Sequence, residues 1–198
     1  MSKKYLNMFT SPLIKKAIYF AAEKHDGQYR RGTRVPYFAH PTLVAMGVIE
    51  FSTNPETVAA AVLHDVLEDC DVTTKELTKL FGKRITKIVN EVSSPAIHLQ
   101  KHQTWINKKR AYIKKIKKAS QDALIIIAVD KINNMQAYFG AMMSSKIKNV
   151  DKLFGGSLLE YLWYYEEILD ILQSRLSNHP ATATYKKIFR SYQILFKV

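Results

Sequence analysis

Apolar residues recur at intervals of three and four along most of this chain, the period of a helix with one buried face. Leu13, Ala17, Phe20 and Ala21 follow Ser11-Pro12, a capping serine and first-turn proline, and predict a helix up to about His25. Asp26-Gly27 breaks it, and 27–37 reads as a loop rich in Arg and Gly. Pro41 opens a second helix with Leu43, Val44, Val48 and Ile49 as its buried side. After Asn54-Pro55, residues 55–68 read as one strongly apolar helix. Thr73 with Glu76 forms a capping box that opens a short helix ending near Phe81-Gly82, and another runs from Arg84 to about Val92. Residues 96–104 look irregular, and helices follow at 105–118 and 121–140. A polar connection at 145–156 leads to an aromatic helix at 157–175 and a last helix at 183–196. No period-two alternation persists long enough to argue a sheet. The expected fold class is all-α, a single helical bundle over residues 1–198.

Composition narrows the class further. A chain of 198 residues with 47% hydrophobic positions is long enough to bury a substantial core and is not a disordered sequence. One cysteine, Cys70, excludes an internal disulfide and suggests a reducing compartment. No signal-peptide core or run of 18 uncharged apolar residues is visible, so the expected location is cytoplasmic, without a membrane span. The net charge of +13 attracts polyanions, whether nucleic acid, anionic lipid or a highly phosphorylated nucleotide. The basic stretch from Lys101 to Lys118 carries an apolar stripe (Trp105, Ile106, Tyr112, Ile113, Ile116) and reads as the solvated face of a packed helix. The aromatic run 161–165 reads as core or as a subunit interface, the latter implying a homo-oligomer.

Polar residues interrupt the apolar pattern at three places: His40-Pro41, His64-Asp65 inside the most hydrophobic helix, and Asp130 after seven apolar residues. A buried carboxylate is costly unless something cationic compensates it. Two imidazoles and two carboxylates form a mixed N/O set that suits Mn²⁺, Fe²⁺ or Zn²⁺. On a continuous helix Glu68 projects beside His64, and Asp69 beside Asp65, placing two more acids near the nucleophilic water of such a site. The loop Arg30-Arg31-Gly32-Thr33 offers guanidinium groups that bind phosphate through paired hydrogen bonds and stack on purines. His25 reads as structural, and His98, His102 and His179 as surface residues.

The run His25-x-Gly27-Gln28-x-Arg30-Arg31-Gly32-Thr33-x-x-Pro36-Tyr37-x-x-His40-Pro41 resembles the opening motif of the RelA/SpoT-type HD-domain hydrolases. Leu63-His64-Asp65-Val66-Leu67-Glu68-Asp69 resembles their HD motif with its acidic pair. Phe81-Gly82 and Asp130-Lys131-x-x-Asn134-Met135 resemble later blocks, in order, so the likeness runs from about 11 to 140. The resemblance implies a helical HD fold and metal ligands at His40, His64, Asp65 and Asp130, usually with Mn²⁺. It implies that Glu68 and Asp69 serve the nucleophilic water, that Arg30 and Arg31 contact the nucleotide, and that Thr33 and Asn134 lie near base or sugar. The chain resembles the small, hydrolase-only alarmone hydrolases, which remove the 3′-diphosphate of (p)ppGpp to give GDP or GTP and pyrophosphate. The long enzymes carry Arg-Leu-His-Asn where this chain has Lys131-Ile132-Asn133-Asn134, and often a hydroxyl where it has Ala137. These departures motivate an alternative nucleotide substrate, (p)ppApp or NADPH. A basic nucleic-acid-binding protein that kept an HD shell is a third reading, and it leaves the acids at 68 and 69 unexplained.

Overall fold

A computed structural model describes residues 10–95, 104–144 and 149–196. Among these residues the regular structure is helical, apart from an isolated antiparallel bridge between Tyr29 and Pro36. The chain divides into two compact units, Met1–Ser93 and Ser94–Val198.

The first unit contains α1 (Pro12–Lys24), α2 (Ala39–Phe51), α3 (Pro55–Val62), α4 (Val66–Asp69) and α5 (Thr74–Val92). Its centre is α3, in which every residue from Thr57 to Val62 is buried. The small side chains of Ala59, Ala60 and Ala61 give it no polar face, and it packs against α1, α2 and α5. Side-chain oxygens of Ser11, Asn54 and Thr73 accept first-turn N–H groups of α1, α3 and α5, and those at Ser11 and Thr73 are the caps expected from the sequence. α5 is kinked at Gly82, whose φ of 83° and ψ of 166° favour glycine and mark the break expected after Phe81.

Two expectations for this unit are corrected. Leu43 is exposed, and α2 buries His40, Pro41, Val44, Ala45 and Val48 instead, because its first turn points the imidazole inward. Residues 55–68 are not one helix. The Ala61 carbonyl, which a continuing helix would give to the N–H of Asp65, accepts from the backbone N–H of His64 (3.5 Å) and from its ring Nδ1 (2.8 Å). Leu63, His64 and Asp65 therefore form a turn between α3 and α4.

The second unit contains α6 (Trp105–Ile116), α7 (Gln121–Met143), α8 (Val150–Phe154), α9 (Leu158–Arg175) and α10 (Pro180–Phe196). The expected bounds shift by a few residues: α7 runs on to Met143, and α10 starts at Pro180 rather than 183. Ala123 to Val129 are all buried, and α7 packs on α9 and α10. Tyr161, Tyr164 and Tyr165 of the aromatic run are buried, with Tyr185 donating its hydroxyl to the Tyr165 carbonyl at 3.0 Å. The run is core of this unit. Arg175 closes the C-terminal end of α6 by donating to the carbonyls of Lys117 and Ala119. Gly156 is buried where a Cβ would lie 2.9 Å from two ring carbons of Trp105. Gly156→Ala is expected to force that ring out of place and cost about 1–3 kcal/mol, read as a lower urea midpoint at unchanged slope.

Candidate metal centre

In the first unit the turn after α3 brings His64 and Asp65 together. Consecutive residues of a continuous helix point about 100° apart, so adjacent ligands diverge there. The turn removes that divergence, and His64 Nε2 lies 3.1 Å from Asp65 Oδ2. His40, from the first turn of α2, places its Nε2 3.6 Å from the same oxygen. The two imidazole rings stand 5.2 Å apart at 66°. Both histidines are almost fully buried, at 2% and 4% exposure, so the pair meets inside the unit rather than on its surface.

The donor set suits a divalent cation. A backbone carbonyl can only accept, so His64 Nδ1 must carry the proton, and in the neutral ring Nε2 presents its lone pair to the carboxylate. Two lone-pair atoms 3.1 Å apart repel unless a proton or a cation lies between them. One ligand atom each of His40, His64 and Asp65 falls within 4.8 Å of the others. Ligands about 2.1 Å from a common ion stand about 3–3.5 Å apart, close to the separations found here.

Around this cluster lies a polar shell from three elements. Tyr37 donates its hydroxyl to Asp65 Oδ2 at 2.8 Å. Its hydroxyl is raised far above the usual tyrosine range, first by burial and then by the Asp65 and Asp69 carboxylates, and it remains a donor. Asp69 ends α4; desolvation and the Asp65 charge raise its carboxyl above the ordinary value, opposed by Tyr37, His25 and His64. His25 is buried beside Tyr37, with ring centroids 5.0 Å apart. It hydrogen-bonds Gln28 through Nδ1 at 2.8 Å, and Gln28 donates to the Asp69 carbonyl at 2.7 Å.

The HD domain family profile matches residues 17–153, more than half of the chain. The chain belongs to the HD-domain family. This HD protein is 45% identical over 80 residues to the guanosine-3′,5′-bis(diphosphate) 3′-pyrophosphohydrolase of Aquifex aeolicus, covering 40% of this chain and 11% of that one. Over 144 residues it is 33% identical to the probable enzyme of the same name from Mycoplasma pneumoniae, covering 68% of this chain and 19% of the relative. The chain thus spans less than a fifth of the length of these curated relatives. Among solved structures, a metazoan ortholog of SpoT that hydrolyzes ppGpp superposes with a TM-score of 0.72 at 26% identity, covering 92% of this chain and 96% of that one. A Listeria monocytogenes structure, at 24% identity and a TM-score of 0.63, shares the fold; it covers 80% of this chain and 98% of its own.

In this HD protein the expected site residues fall into three groups. His40, His64, Asp65 and Asp69 come together as described, and Glu68 is half-buried on the same short α4. Arg30, Arg31 and Thr33 lie on the loop before α2, which is tied by Arg30 N–H to the Val35 carbonyl (2.9 Å) and Tyr37 N–H to the Gln28 carbonyl (2.8 Å). The Arg30 guanidinium sits 5.6 Å from the Tyr37 ring centre, and Arg31 is exposed. The Thr33 hydroxyl donates to the Arg30 carbonyl and accepts from the Val35 N–H, holding the loop itself. Asp130 and Asn134 belong to α7 of the second unit, where Asn134 Nδ2 donates to Asp130 Oδ1 at 2.6 Å. Lys131 Nζ lies 2.5 Å from Asp130 Oδ2, so the cation that compensates this buried acid is a side chain of the same helix. Desolvation works against the charge of Lys131, but Asp130 outweighs it and the ammonium stays protonated.

The sequence placed Tyr37 in the opening motif, three residues before His40, without giving it a role, and Cys70 marked only a reducing compartment. Cys70 Sγ lies 3.3 Å from His25 Nδ1, but burial, with the Asp69 charge, pushes its thiol up to about 11. Iodoacetamide is therefore expected to label Cys70 slowly at pH 8 and progressively faster towards pH 11, as read by mass spectrometry. No helix among the described residues is long and apolar enough to cross a membrane. His98 and His102 lie outside the described residues, and His179 is half-buried, with Nδ1 accepting the Ala181 N–H at 3.2 Å. Adding a divalent cation at a hundred times its dissociation constant is expected to stabilise the wild-type chain by about 2.7 kcal/mol, raising its unfolding midpoint. His64→Ala should lose that rise.

Proposed function

We propose that this chain is a Mn²⁺-dependent hydrolase that removes the 3′-diphosphate of (p)ppGpp, giving GDP or GTP and pyrophosphate. The observation that carries the reading is the convergence of His40, His64 and Asp65 beside Asp69, next to a loop bearing Arg30 and Arg31. The names of the curated relatives and the ppGpp hydrolysis of the metazoan SpoT ortholog support the choice of substrate. The ligand set that the family resemblance implies is His40, His64, Asp65 and Asp130. Its oxygens already accept from Lys131 and Asn134, yet an ionised carboxylate has about four acceptor positions. When bound, the divalent ion supplies Lewis-acid polarisation of the phosphate and neutralises developing charge.

The chain's own groups would do the rest. Glu68 and Asp69 orient a water and accept its proton as its oxygen bonds to the 3′-linked phosphorus. The bond from phosphorus to the ribose 3′-oxygen breaks, and one of the two acids returns a proton to that leaving oxygen. Arg30 and Arg31 hold the polyphosphate or stack on the base, with Thr33 and Asn134 near base or sugar. The strongly basic balance of the chain steers a polyanionic nucleotide towards it. The working location is cytoplasmic, where a reduced Cys70 is compatible.

Pyrophosphate release from ppGpp by the purified chain, with Mn²⁺, with chelator and in Asp65→Ala, tests this directly. Release is expected with Mn²⁺ and is expected to fall at least a hundredfold in the variant; equal rates in both would exclude the assignment. Asn133 and Ala137 favour keeping (p)ppApp and NADPH in the same assay, and a clear preference for either would move the substrate while leaving the site.

A further inference from the structure

We propose that Tyr37 is a positioning residue, whose hydroxyl holds the Asp65 carboxylate in the orientation that cation binding requires. This rests on reading His40, His64 and Asp65 as metal ligands. The last torsion of an aspartate is broad and soft, so a carboxylate is not fixed by its backbone. Here a single oxygen, Oδ2, must face both imidazoles, 3.1 and 3.6 Å away. The Tyr37 hydroxyl donates to that same oxygen at 2.8 Å and pins it there, leaving its remaining acceptor positions directed elsewhere.

Tyr37 is itself held on several sides, as a positioning group must be. Its backbone N–H donates to the Gln28 carbonyl at 2.8 Å, and its carbonyl accepts the His40 N–H at 2.9 Å. Its ring lies 5.0 Å from that of His25, which is buried and bonded to Gln28. It also meets His40 edge-on at 6.0 Å. The aromatic body is therefore locked by packing, and its hydroxyl reaches Asp65. Arg30 rests against the same ring, so the loop that bears the arginines and the carboxylate share one support.

The test is Mn²⁺ affinity by calorimetry in the wild-type chain, in Tyr37→Phe, and in Tyr29→Phe as a control on an exposed tyrosine of the same loop. Tyr37→Phe keeps the ring and is expected to weaken Mn²⁺ about tenfold, at the lower end of what ligand-orienting hydrogen bonds contribute. Tyr29→Phe is expected to bind as the wild type does. With ppGpp as substrate, raising Mn²⁺ should restore the kcat of Tyr37→Phe, and the KM for the nucleotide should not move. An unchanged Mn²⁺ affinity in Tyr37→Phe overturns the proposal, as does a loss of kcat that no Mn²⁺ concentration restores. The calorimetric arm uses no nucleotide, so a failure of ppGpp as substrate leaves it standing.

Discussion

The arrangement of the first unit turns on one oxygen atom, Asp65 Oδ2, which faces two buried imidazoles and accepts a tyrosine hydroxyl. A carboxylate in that position is tolerable only where donors or cations surround it. α2 delivers His40, the turn after α3 delivers His64, and the loop before α2 delivers Tyr37. The α3 helix behind them, buried from Thr57 to Val62, supplies the backing against which these polar groups are held. Its alanines allow close approach by α1, α2 and α5, and the cluster is built at its end.

The break after Val62 is what brings the adjacent His64 and Asp65 side chains together. His64 spends its Nδ1 proton on the carbonyl that would have continued the helix, and one hydrogen bond thereby ends α3, fixes the tautomer and aims Nε2 at Asp65. The local backbone and the chemistry of the site have a common cause. The short α4 that follows then carries Glu68 and Asp69, with the Asp69 N–H returning to the Asp65 carbonyl at 2.9 Å.

The two units meet the same problem of buried acid in different ways. Asp130 is buried to 5% exposure and neutralised by Lys131, which also lies 5.0 Å from the centre of the Tyr112 ring. Asp65 is met by two imidazoles and a phenol. A buried acid after an apolar run therefore does not by itself imply a metal, since an adjacent lysine can supply the charge. Asp65 and its converging histidines, rather than Asp130, are the donors that suit a cation.

The helical period, the capping residues and the all-α class were legible in the sequence because they depend on contacts within about four residues. Residue types at His40, His64, Asp65 and Asp130 also suggested a mixed set of nitrogen and oxygen donors, since polar groups stood where apolar ones were due. Their convergence on one oxygen was not legible. Tyr37 and Asp65 are 28 positions apart, and their meeting depends on how the loop before α2 folds back over the end of α3. The break at residues 63–65 escaped the periodic pattern because a side chain, not a helix-breaking residue, takes the carbonyl. Leu43 faces outward because burying His40 and Pro41 sets the rotation of α2, a choice made by packing. Sequence alone determined which groups were available and on which elements they lay; tertiary structure decided which of them share a space, because separation along the chain says nothing of distance once helices pack.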